Sequence, residues 1–100
     1  MMEIVINHNK EEMVIALTGR LDTVTSLDLL KAFNEEDVVE PVVTVDMKNL
    51  EYISSAGLRA LLSMKKELKT KDKVLEVMNL NKVCTEVFKV TGFINILTVK

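Results

Sequence analysis

Residues 41–68 read PVVTVDMKNLEYISSAGLRALLSMKKEL. After Pro41 the run VVTVDM is β-branched and apolar, the composition of a strand covered on both faces, as parallel strands between helices are. It reads as the central strand of a sheet. From Ala56 to Leu68 the period changes: Leu58, Leu61, Leu62, Met64 and Leu68 share one arc of a helix, and Arg59, Ser63, Lys66 and Glu67 the other. Between these two runs, KNLEYISS reads as a turn. A strand handed on to an amphipathic helix is half of a parallel crossover, so the stretch predicts an α/β fold.

Working outward, Glu3 to Asn7 and Met13 to Thr18 are short runs rich in Ile and Val on either side of HNKEE, which reads as a hairpin. A helix then starts near Thr23. Thr25 supplies a capping hydroxyl with Asp28 three residues on, and Leu27, Leu30 and Phe33 form an apolar face that ends about Glu36. Beyond the central unit, Lys73 to Met78 alternates as a strand. Asn81 caps a helix carrying Val83, Cys84, Val87, Phe88 and Val90, which stops at a left-handed Gly92 with Phe93 folding back. Ile94 to Val99 reads as the last strand. The order β-β-α-β-α-β-α-β, joined by right-handed crossovers, predicts a mixed β-sheet of about five strands with helices packed against it. No linker or repeat divides the chain, so residues 1–100 are expected to form a single domain.

Composition excludes several classes. Of the 100 residues, 48% are hydrophobic and 28% charged, which is ordinary globular usage and argues against disorder. Thirteen Lys and Arg against fifteen Asp and Glu leave a formal charge of -2, so no field gathers nucleic acid or anionic lipid. The opening MMEIVINHNKEE has no apolar segment of signal-peptide type, and no 18 apolar residues run together, so a cytoplasmic protein without a membrane partner is expected. Cys84 is the single cysteine, which suits a reducing compartment, and its place on an apolar helix stripe makes it a small core residue.

Ser54 and Ser55 stand together where the central strand passes to its helix. One serine suffices as a cap. Ser55 falls at the expected N-cap and Ser54 one residue earlier in the loop, while Gly57 in the first turn permits a close backbone approach and leaves the serines uncovered. A nucleophilic serine needs a base, yet the only histidine, His8, lies in the hairpin turn, and no G-x-S-x-G surrounds the pair. Phosphate-cradling glycine loops are absent, and one Cys with one His does not make a metal site, so no enzyme, cofactor or metal is expected. A phosphorylated serine fits better. At a helix N-terminus a phosphate meets the positive end of the dipole and free N–H groups, and adds about -1.5 to -2 charges without disturbing the fold. Asp46 and Asn49 lie at the same expected edge, where they either hydrogen-bond the turn or face a partner. Arg59, one turn after Ser55, is either solvated or paired with a phosphate or a partner carboxylate. The lysines from Lys65 to Lys73 are broken by Glu67 and Asp72 and read as a solvated face.

The stretch VDMKNLEYISSAGLRALL, Val45 to Leu62, resembles the signature of anti-sigma factor antagonists, the STAS domain family. The likeness continues through LTGRLD, Leu17 to Asp22, and VTGFINIL, Val90 to Leu97, and so covers essentially the whole chain. It implies a small binding protein that captures an anti-sigma factor, itself a serine kinase of the histidine-kinase-like ATPase type, and so frees a sigma factor. Phosphorylation blocks that binding and a serine phosphatase restores it. In the family's D-S-S-G pattern the modified serine follows the acid. Alignment on Gly57 implies Ser55 as phosphoacceptor and places Ser54, the alternate acceptor, where the acid usually stands. Asp22 matches the acid of the family's first loop, near the modified serine, so Asp22, Asp46, Asn49, Ser54, Gly57 and Arg59 are the expected partner-binding residues. Related domains attached to transporters imply one alternative, a module that senses a small ligand, a nucleotide or a lipid; a further alternative is a scaffold in a larger signalling assembly.

Overall fold

The computed structural model describes residues 2–100. Its elements in chain order are β1 (Met2–His8), β2 (Glu12–Leu21), α1 (Thr23–Glu35), β3 (Val42–Ile53), α2 (Ser55–Lys69), β4 (Val74–Met78), α3 (Lys82–Thr91), a 3-10 turn (Phe93–Asn95) and β5 (Thr98–Val99). The five strands lie in sequence order across one sheet, β1 antiparallel to β2 and the rest parallel. Each crossover therefore steps to the neighbouring strand in the same direction. With right-handed connections, that puts α1, α2 and α3 on one face.

Burial follows that arrangement. Met13, Ile15, Leu17 and Leu21 of β2, Val43, Val45 and Met47 of β3, and Leu75 and Val77 of β4 are buried in alternation, beneath Leu29 and Phe33 of α1, Leu58, Leu61, Met64 and Leu68 of α2, and Cys84 and Phe88 of α3. The expectation that β3 is covered by helices on both faces fails here. Its other face carries Val42, Thr44 and Asp46, and Thr44 is covered by polar side chains: its hydroxyl donates to Glu12 at 2.7 Å, and Lys100 bridges Glu12 and Glu76 at 2.9 and 3.3 Å.

β3 also runs straight through the predicted turn. Between Ala16 and Thr18 its pairing with β2 moves from Asp46 to Asn49, and between Gly19 and Arg20 from Leu50 to Tyr52, so β3 carries an extra residue at each step. These bulges let Met47, Leu50 and Ile53, three residues apart, all point into the core, which a regular two-residue pleat forbids. Gly19 adopts φ +110 beside them, a left-handed conformation that favours glycine.

Two further readings need correction. The predicted strand from Ile94 to Val99 shrinks to Thr98–Val99, because the left-handed Gly92 feeds the 3-10 turn first. On α1 the inward face is Thr25, Ser26, Leu29 and Phe33, while Leu27 is 68% exposed. The two hydroxyl residues go inward because backbone carbonyls absorb them: Thr25 donates to Arg20 O at 2.7 Å and Ser26 to Asp22 O.

Candidate functional site

α1 and α2 begin side by side at the ends of adjacent strands. Leu21 and Ile53 are paired across β2 and β3, and the Ser54 amide donates to the Leu21 carbonyl at 2.9 Å. Beside them the Arg20 guanidinium lies 4.3 Å from the centre of the Tyr52 ring, a cation–π contact that braces the two strand ends.

The capping roles differ from those expected by one residue at α2 and by three at α1. Ser54, not Ser55, is the N-cap of α2: its Oγ accepts from the Gly57 amide at 3.2 Å and its carbonyl from the Leu58 amide at 3.0 Å. β3 stays extended through Ile53 and the Leu21 bond holds Ser54 in β geometry, so the helix starts at Ser55. Ser55 is exposed, and its hydroxyl bonds to no described residue. The cap of α1 is Asp22 rather than Thr25. Its Oδ1 accepts from the amides of Val24 and Thr25 at 3.1 and 3.0 Å, and the Thr25 hydroxyl receives the Asp22 amide at 2.8 Å, a reciprocal box. The hydrogen bonds from Thr25, first through its amide and then its hydroxyl, hold the Asp22 carboxyl below its ordinary value of 3.8.

Gly57 is buried, and the backbone it permits to approach is the protein's own. A Cβ there would stand 2.9 Å from Ile53 Cγ1 and Leu21 Cγ and 3.0 Å from the Leu21 carbonyl oxygen. Arg59 is exposed on α2, one turn beyond Ser55. Together with Thr23, Leu27, Leu30, Ala56 and Ala60 it lines a mainly apolar groove of about 280 Å³ between α1 and α2. Val24 and Leu27, 70% and 68% exposed, belong to α1 beside that groove. The sequence reading missed them as surface residues. Only the hydroxyls at Thr25 and Ser26 hinted that the helix was turned, and apolar periodicity alone does not distinguish that phase.

Asp22, Ser54, Ser55, Gly57 and Arg59 thus converge. Asp46 and Asn49 do not join them, for both lie back along β3: the Asp46 carboxylate is taken by the Lys48 amide and Asn79 Nδ2, each at 3.0 Å, and Asn49 is exposed opposite Thr18. His8 pairs with Met13 near the start of β2, whereas Ser54 adjoins its end, about 26 Å away at the rise of a strand. No base therefore stands beside the serines from that direction. No helix among the described residues is long and apolar enough to cross a membrane.

Residues 4–98 match the family model described as Mlab, STAS domain. The chain belongs to the STAS domain family. BtrV of Bordetella bronchiseptica, a protein named as an anti-sigma factor antagonist, is 40% identical to this STAS domain over 63 residues, 63% of this chain and 54% of that protein. The match thus spans about half of that relative's length. Among solved structures, an anti-sigma factor antagonist from Mycobacterium paratuberculosis superposes with a TM-score of 0.85 at 20% identity, covering 99% of this chain and 85% of that one. SpoIIAA of Bacillus in its unphosphorylated form gives 0.80 at 17% identity, covering 98% and 88%. A sulfate transporter family protein from Wolinella succinogenes gives 0.74 at 18% identity, covering 86% and 73%. At these identities the structures establish the fold: one α/β domain, a mixed five-stranded sheet with three helices.

Proposed function

We propose that this STAS domain is a non-enzymatic, cytoplasmic anti-sigma factor antagonist. It binds an anti-sigma factor of the histidine-kinase-like serine kinase type through the groove between α1 and α2, and so releases a sigma factor. Phosphorylation of Ser55 ends the binding and a serine phosphatase restores it. One observation carries this reading: Ser54 does the capping, which leaves the Ser55 hydroxyl exposed and unengaged at the start of α2, next in sequence to Ala56 of the groove.

The physics of such a switch is favourable. A phosphate on Ser55 meets the free amides and positive dipole end of α2, with Arg59 one turn away, so the fold tolerates it. A docked partner must desolvate or repel the new dianion, and a penalty of about 4 kcal/mol weakens binding about a thousandfold. Ser54 is the poorer acceptor because its oxygen already holds the Gly57 amide. Asp22 contributes a negative cap beside the site, and Asp46 and Asn49, back along β3, stand outside the docking groove. The test is incubation with ATP and the serine kinases of the same genome, followed by mass spectrometry. Phosphate on neither Ser55 nor Ser54 would sink the switch.

A second reading is a ligand-sensing or scaffold module, favoured by the fold shared with the transporter-family protein and by an open cleft of about 470 Å³ at Met2, Glu3, Thr18 and Gly19. Calorimetry with nucleotides and lipids separates the two, since a dedicated partner switch binds neither tightly.

A further inference from the structure

At the end of the sheet remote from Ser55, the His8 ring stands between two carboxylates. Nδ1 lies 2.5 Å from Glu40 Oε2 and Nε2 lies 2.7 Å from Glu36 Oε1. A neutral imidazole has one N–H and one lone pair, so it donates to one carboxylate and turns its lone pair on the other. Two ionised carboxylates at these distances require both ring nitrogens to carry protons. Glu40 is the costly member, for its side chain is only 3% exposed, and its other oxygen is occupied by the Val39 amide at 3.2 Å.

We propose that Glu36, His8 and Glu40 form a proton-operated latch that ties the end of β1 to the connection between α1 and β3. The other charges near these groups are Lys10 and Glu11 of the hairpin, Glu35 at the end of α1, Asp37 of the connection, and Lys73, whose ammonium donates to the Glu40 carbonyl at 2.8 Å. Acids outnumber bases there, which favours the imidazolium. The titration directions agree: hydrogen bonds to Glu36 and then Glu40 raise the His8 pKa above its ordinary 6.5, and although burial pushes Glu40 up, its own amide and His8 hold it below 4.5. Because the folded pKa of His8 lies above the unfolded one, the latch stabilises fully below 6.5 and is lost as pH rises through the folded value. Deprotonation then leaves a buried carboxylate facing a lone pair, and the local structure opens.

Nuclear magnetic resonance on the intact chain tests this, following the His8 ring nitrogens and amide exchange together from about pH 5 to about pH 9. His8 is expected to titrate above 6.5. Opening of Asn7–Glu12 and Glu36–Glu40, corrected for intrinsic exchange, is expected to rise in step by about tenfold per unit of pKa elevation, and core amides that open only by global unfolding rise by no more than the same factor. In His8→Gln that rise disappears. Titration at or below 6.5, protection that stays flat through the titration, or a His8→Gln variant that keeps the pH response would each overturn the latch.

Discussion

The Ser54 amide donates to the Leu21 carbonyl at 2.9 Å, and this bond locks the starts of α1 and α2 together. Leu21 precedes the Asp22 cap of one helix, and Ser54 is the cap of the other. Each adjacent serine then has one task. Ser54 satisfies the backbone, and Ser55 stands in solvent at the start of α2.

That division predicts unequal costs. Ser54→Ala removes the cap and is expected to lose about 1 kcal/mol, whereas Ser55→Ala is expected to lose less than about 0.5 kcal/mol. Urea unfolding of both variants measures this, and the reverse order would mean that Ser55 caps the helix.

Gly57→Ala sets two effects against each other. Helix propensity gains at most about 1 kcal/mol, but the new methyl stands 3.0 Å from a main-chain oxygen that cannot turn aside, and overpacking of this kind costs about 1–3 kcal/mol. A net loss of about 1 kcal/mol is expected in thermal or urea unfolding; a variant as stable as the parent would show that the strand end yields.

Asp22 should govern part of the acid limb of stability. Its carboxyl titrates below 3.8 when folded, so its contribution is present above the unfolded value and is lost as pH falls through the folded one. Asp22→Asn retains only a neutral capping oxygen, so it should be somewhat less stable than the parent near pH 7 and lose less stability on acidification. Asp22→Ala, with no capping oxygen at all, should be the least stable of the three at neutral pH. Unfolding curves at a series of pH values discriminate the three proteins.

For the docking groove, Leu27→Asp places an acid in the first turns of α1, where the helix dipole favours it, and removes an exposed apolar side chain. Its melting temperature should be unchanged, and its affinity for the anti-sigma partner should fall by at least about tenfold in calorimetry. Ser55→Asp should weaken the same binding further, and Ser55→Ala should leave it intact. Undiminished binding by Leu27→Asp would move the interface elsewhere.

The elements that could be read without a structure are those whose period is local. The leucines of α2 recur at helical spacing, Asn81 and Gly92 bracket α3 as cap and stop, and VVTVDM opens β3, all where expected. The residues KNLEYI were misread because their apolar positions, Met47, Leu50 and Ile53, fall three apart. Only the bulged pairing with β2 makes that spacing a strand. Leu27 and Leu29 both suit an amphipathic helix; the phase was decided by Arg20 and Asp22 carbonyls that take up the Thr25 and Ser26 hydroxyls.

From its order of residues alone this chain specified alternating strands and helices and a serine pair at the central junction, because propensity and periodicity act between near neighbours. Which serine caps, which face of α1 meets solvent, how far β3 extends and where His8 finds its carboxylates were decided only in three dimensions. Those choices rest on hydrogen bonds between segments far apart in sequence, and the groups that make them have no partner until the sheet has assembled.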